Sequence, residues 1–248
     1  MVYLIAIPLA IIISLCWYLP GIKALGDRQV LQKKDYLIIA LKYGFCYTCL
    51  LIIITEIVWD GIIKHTPLTG LAKDIVSDFF RAALLEEFFK FRGFYHAKRK
   101  YGLYRKIDYI LVAGLIGMVY GIVEKAVLGN IAAVIVGMIC PMHIIWQYNQ
   151  GGHYFEYEKA KAAGDQAAAR KEQMMALLVP FLFHGCWDSG LDIGSHLIGI
   201  ENSTAAQVAG IVLITALVIF GVIYTIRTIK NVVRIAKETP APAAETPS

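Results

Sequence analysis

The chain has 248 residues, of which 58% are hydrophobic and 17% charged. A soluble domain is about 45–50% apolar and about 25% charged, so a mean hydropathy of +0.59 excludes an ordinary soluble globular protein. The net charge of +5 calls for no nucleic-acid partner, because basic residues flanking membrane helices beside anionic lipid account for it.

A helix needs about 20 mostly apolar residues to cross about 30 Å of hydrocarbon. Seven runs have this character, at 2–19, 36–58, 79–95, 109–128, 131–147, 174–190 and 205–227. The expected fold is an all-α polytopic membrane helix bundle of about seven transmembrane helices. The first run lacks the basic start and small-residue cleavage site of a signal peptide, which predicts a retained helix. Basic residues cluster at 20–35 (Lys23, Arg28, Lys33, Lys34), at 92–106 (Arg92, Lys98, Arg99, Lys100, Arg105, Lys106) and at the C-terminal end (Arg227, Lys230, Arg234, Lys237). With seven spans these clusters fall on one side, so the positive-inside rule places the N-terminus outside and the C-terminus in the cytoplasm. Cys16, Cys46, Cys49, Cys140 and Cys186 all fall within spans and read as small apolar packing residues.

Between the fifth and sixth spans, HYFEYEKAKAAGDQAAARKEQ at 153–173 is alanine-rich with mixed charges. It predicts helical extensions or a hairpin turning near Gly164, its charges forming a solvated face. The short turn LGN at 128–130 makes the fourth and fifth spans antiparallel neighbours. An integral membrane domain is expected over 1–235. The remainder, 236–248, carries the Pro, Glu, Thr and Ser of a disordered tail.

Ionisable groups inside membrane helices are costly and usually face the bundle interior. Here they are Glu86, Glu87 and Lys90 in the third span, Glu124 and Lys125 in the fourth, His143 in the fifth, and His184 and Asp188 in the sixth. With antiparallel spans and about 1.5 Å of rise per residue, Glu86, Glu124 and His184 share a layer about 8–11 Å below the outer surface. His143 falls deeper, about twelve residues into its span. Gly117 and Gly121 share a stripe with Glu124, which predicts close approach of a neighbouring helix to that glutamate.

The spacing suggests roles. Glu86 and Glu87 point about 100° apart on a helix, so one faces the site while the other meets an adjacent helix. Lys90 follows Glu86 by four residues and offsets the cost of a buried carboxylate. Asp188 follows His184 by four, where it orients the ring or joins it in holding a ligand. Glu124, His143 and His184 form a two-histidine, one-carboxylate metal set that leaves a position for water, with Glu86 or Glu87 as general base. A metal-free version has a glutamate activating water directly while the histidines stabilise the oxyanion. A lone membrane histidine more often serves as an interhelical hydrogen-bonding group. Four helices that each contribute an acid or imidazole to one slab of membrane, helix tilt bringing His143 to the others, argue for a functional site.

LLEEFFK matches an EExxK motif, and YGIVE is similar to FxxxE with Tyr120 in place of phenylalanine. His143 follows alone in the next span, then HGCWD supplies an HxxxD motif with His184 and Asp188. In this order the motifs resemble the PrsW family of intramembrane proteases, within the wider group that includes the CAAX prenyl endopeptidases. The resemblance covers about residues 75 to 190. It implies a multi-pass cell-membrane protease that cuts membrane-bound proteins such as an anti-sigma factor, with Glu86, Glu87, Glu124, His143 and His184 catalytic. A divalent metal such as zinc goes with the two-histidine, one-carboxylate reading. Glu124, where the CAAX enzymes typically carry histidine, favours the PrsW branch. The rival reading is a transporter or proton-coupled carrier, which also lines midplane sites with Glu, His and Asp. Against it stands the absence of repeat symmetry and of paired broken helices.

Overall fold

The computed structural model describes residues 2–63, 65–128, 135–137 and 139–242. Residues 129 and 130 of the expected LGN turn, the first residues of the expected fifth span, and the last six of the expected tail lie outside them. Among the described residues the chain forms seven long helical rods, a short helical stretch at 135–137 and 139, and no strand. The rods are α1 (Val2–Leu25), α2 (33–63), α3 (70–101), α4 (Lys106–Leu128), α5 (Met142–Ala162), α6 (Gln166–Ile198) and α7 (Thr204–Glu238). Stretches within α1, α2, α4, α6 and α7 are long and apolar enough to cross a membrane. The other two rods, α3 and α5, carry buried polar groups at Glu87, Lys90, His143, Gln147 and Gln150.

Burial sorts the rods. The apolar stretch of α4 is 78% buried, whereas that of α7 is 11% buried. Helix α4 is thus the central post, packed by α1, α2, α3 and α5, while α7 presents Val208, Ile211, Val212 and Ile219 outward. Outward apolar side chains are what a lipid-facing helix requires.

The expected fifth span is not one helix. Cys140 and Pro141 lie outside helical structure, and α5 starts at Met142. Proline has no N–H to continue a ladder and drives the residue before it out of the α region. The Pro141 carbonyl instead accepts from Ile144 and Ile145 N–H at 3.0 and 3.2 Å, opening a new helix. His143 therefore sits in the first turn of α5, not deep within a continuous span.

The expected hairpin near Gly164 is present. α5 ends at Ala162, Gly164 takes φ +78°, and α6 begins at Gln166. A positive φ is open to glycine at no steric cost. The hairpin's charges are not a purely solvated face: Glu156 pairs with Lys106 at 2.6 Å, Glu158 with Lys98 at 2.5 Å, and His153 with Glu172 at 2.7 Å.

A polar clasp ties three rods at the same end. Arg105 donates to both oxygens of Asp108 at 2.7 Å, and to the Arg28 and Pro240 carbonyls at 2.8 and 3.2 Å. Arg28 in turn donates to the Lys237 and Thr239 carbonyls at 2.8 and 2.6 Å. The end of α1, the start of α4 and the end of α7 are thereby joined.

Regular α-helix is interrupted by wider π turns at Ile39–Phe45 and Thr55–Trp59 in α2, and at Asp78–Leu85 in α3. Such turns insert one extra residue into the ladder and are common beside functional groups. The third ends immediately before Glu86.

Candidate active site

The glycine stripe on α4 acts as expected. A Cβ on Gly117 would lie 2.3 Å from the His143 carbonyl oxygen, and one on Gly121 would lie 3.1 Å from His143 Cδ2. With no side chain at either position, the first turn of α5 rests on the α4 backbone. That contact brings His143 Nε2 to 2.7 Å from Glu124 Oε2.

Helix α3 inserts its acids from the other side. Glu86 lines a cavity of about 590 Å³, whereas Glu87 is buried and points into the bundle. Lys90, fully buried, gathers both: its Nζ lies 3.1 Å from Glu86 Oε2 and 2.7 Å from Glu87 Oε1. The same ammonium lies 2.8 Å from His143 Nδ1 and 5.3 Å from the centre of the Tyr120 ring. It is a cation held by two carboxylates, an imidazole and an aromatic face, which offsets its desolvation.

Helix α6 completes the group. His184 is fully buried, and its Nδ1 donates to Glu87 Oε1 at 2.9 Å. Nε2 lies 3.1 Å from Asp188 Oδ2 but has no hydrogen-bond partner among the described residues. The His184 ring stacks on Trp146 at 4.6 Å between centroids and meets His143 edge-on at 5.1 Å.

Seven of the eight ionisable residues singled out from sequence therefore meet, Glu86, Glu87, Lys90, Glu124, His143, His184 and Asp188, and the eighth, Lys125, lines the same cavity. Their division of labour is finer than spacing alone reveals. Glu86 faces the cavity and Glu87 faces the neighbouring helices, as their angular separation predicts. Among the described residues the group with metal-ligand spacing is Glu86, His143 and His184, whose ligand atoms all lie within 4.8 Å of one another. Glu124 instead pairs with the outer nitrogen of His143.

Sequence reasoning missed two members. Gln147 donates to Glu87 Oε2 at 2.7 Å and is fully buried. Trp146 lines the cavity and stacks on His184. A signal for Gln147 was present, since it follows His143 by four residues and so shares its helix face.

The geometry can do two things. It holds positive charge among carboxylates, and it presents carboxylate and imidazole to a cavity inside a membrane bundle. The family model of the PrsW family intramembrane metalloproteases matches residues 32–223, most of the chain. The chain belongs to that family. No curated protein and no solved structure gives a match. Membership supports an intramembrane protease acting on membrane proteins in a lipid bilayer, and a multi-pass membrane protein is what the apolar rods require.

Proposed function

We propose that this PrsW-family protein is an endopeptidase that hydrolyses peptide bonds of membrane-tethered proteins near the outer membrane face. One observation carries the reading: Glu86, Glu124 and His143 line a single cavity of about 590 Å³ within a bundle of apolar rods, with His184 buried beside it. Peptide hydrolysis needs water, and the bilayer core excludes it except where protein lines a polar cavity. The distribution of basic residues supports an outside N-terminus and an outward-facing site.

A divalent metal ion such as zinc fits the donor set. An ionised carboxylate only accepts hydrogen bonds, so the Glu87 contact puts the His184 proton on Nδ1. This leaves Nε2, buried and without a hydrogen-bond partner, as a lone-pair donor. By the same logic Glu124 puts the His143 proton on Nε2, and the Nδ1 lone pair, on the side of Glu86, accepts from Lys90 at 2.8 Å, a contact that a bound ion would displace. Carboxylate-bonded imidazoles of this kind are the usual metal-ligating histidines. Glu86, His143 and His184 would hold the ion, which when bound polarises a carbonyl and lowers the pKa of a water.

The chain's own groups carry the proton. Glu124 bonds His143 through Oε2, and its other oxygen has no hydrogen-bond partner among the described residues. In our reading it takes a proton from the attacking water and returns it to the leaving amine. Glu87 fixes the His184 ring, and Lys90 pairs with both α3 carboxylates. Trp146 covers the His184 face. This reading exchanges two roles expected from sequence, making Glu86 a ligand and Glu124 the base. The substrate enters as extended chain, because helical amides are engaged in their own hydrogen bonds.

The test is purified protein in bilayer discs with a membrane-tethered substrate. Cleavage by the parent and its loss in Glu124→Gln and His184→Ala is the expected result. Ion flux in vesicles without cleavage, or full activity in both variants, overturns the assignment.

A further inference from the structure

The reading above gives no role to several charged groups of the cavity, Asp78, Arg81, Asp192 and Lys125 among them. Lys125 follows Glu124 on α4 and lines the same space. Its Nζ donates to the Gly121 carbonyl at 3.0 Å and stands 3.8 Å from Glu124 Oε2, beyond hydrogen-bond range. Among the described residues its other two N–H groups meet no acceptor. Lys90 differs, being fully buried with an acceptor at hand for each of its three protons.

The position of Lys125 is prepared by glycines. A Cβ on Gly137 would lie 1.9 Å from Lys125 Cε, so the stem passes where any other residue would stand. A Cβ on Gly121 would lie 3.4 Å from Lys125 Nζ and 3.1 Å from His143 Cδ2, so ammonium and imidazole share the face of one glycine. A lysine in a membrane bundle is expensive and normally pairs with carboxylate or carbonyl groups. Here most of its donor capacity is aimed into a space beside the proposed base.

The geometry points to Lys125 as the donor that stabilises the tetrahedral oxyanion, an inference that rests on the peptidase reading. As water oxygen bonds to the scissile carbonyl carbon, the C=O electron pair moves onto oxygen, and a Lys125 N–H donates to that oxygen. On collapse the pair returns, the C–N bond breaks, and the amine leaves with the proton Glu124 took from water. A donor placed before charge develops acts in the transition state more than in the ground state.

The experiment uses the metal-loaded full chain and a membrane-tethered substrate. Lys125→Met is expected to lower kcat by about 10²–10³-fold with KM changed by less than about threefold. Lys125→Arg, which keeps a donor, is expected to recover part of that loss. Gly137→Ala displaces the lysine without removing it and is expected to lower kcat as well. A second readout is binding of two fluorescent peptides, a phosphinic one that mimics the tetrahedral oxyanion and an uncleavable amide isostere. Lys125→Met is expected to weaken the first by about 100-fold and to leave the second unchanged. Equal loss of both probes, or an unchanged kcat beside an active parent, overturns the role of Lys125 alone. A parent that cleaves no tethered substrate overturns the peptidase reading and this role with it.

Discussion

Glu87 Oε1 accepts from His184 Nδ1 at 2.9 Å, joining α3 to α6 across 97 residues of sequence. The same oxygen accepts from Lys90 at 2.7 Å, and the other from Gln147 at 2.7 Å. One buried carboxylate thus fixes the lysine that serves Glu86 and the ring that offers its Nε2. It acts through other residues, as a positioning group.

Replacing Glu87 tests this. Glu87→Gln keeps the shape but removes the charge that faces Lys90 and the acceptor that fixes the His184 tautomer. Losing such an outer partner typically costs about 10–100-fold in metal affinity or activity. The expected result is that loss in metal content or kcat/KM while Glu87→Asp retains more. Equal activity in Glu87→Gln and the parent would show that His184 needs no orienting carboxylate.

The two cavity-facing glutamates separate by what they lose. Glu86→Gln is expected to purify with little divalent metal. Glu124→Gln is expected to retain metal, with kcat lowered by about 10²–10⁴-fold. Elemental analysis of both proteins decides, and chelation of the parent should abolish cleavage reversibly. Metal lost from Glu124→Gln and kept by Glu86→Gln would reverse the two roles.

Gly117→Ala should disturb the site without touching an ionisable group. The new methyl would stand 2.3 Å from the His143 carbonyl oxygen, which is backbone and cannot swing away. Overpacking of this kind typically costs about 1–3 kcal/mol. A lowered unfolding temperature with reduced activity is expected. A variant as stable and active as the parent would mean that α5 does not rest on α4 as described.

The clasp between Arg105 and Asp108 is a matter of stability. Arg105 is 8% and Asp108 3% exposed, and their two hydrogen bonds are both 2.7 Å. Removing one partner of a buried pair costs about 3–5 kcal/mol. Asp108→Ala is therefore expected to lower the midpoint of denaturation markedly. In the fraction that remains folded, kcat should be near that of the parent. An unchanged midpoint would show the clasp to be solvated.

Much of this site was legible because the membrane makes polar residues conspicuous. Glu86, Glu87, Glu124, His143, His184 and Asp188 stand out in runs of apolar neighbours, and helix phase separates Glu86 from Glu87. The glycines before Glu124 announce close packing. Gln147 escaped because it bears no charge, although it lies one turn from His143. The break at Cys140 and Pro141 escaped because the flanking residues are apolar enough to read as one span. Proline's missing N–H carried the information, and it removes the depth mismatch that a continuous fifth span would give His143. The basic residues Arg28 and Arg105 read as membrane-side charge. Their carbonyl partners at and just beyond the end of α7 depend on tertiary packing, which local pattern does not encode.

The wide turn at Asp78–Leu85 gives α3 one backbone residue more than a regular winding would hold. Were the same residues wound as regular α-helix, everything after them would swing by about 100° relative to the part of α3 before Asp78. Glu86 would then leave the water-accessible side even though every chemically active side chain was still encoded. The aim of the acid pair is therefore set by a tally of amides, and an added residue in this stretch should be as damaging as losing a carboxylate.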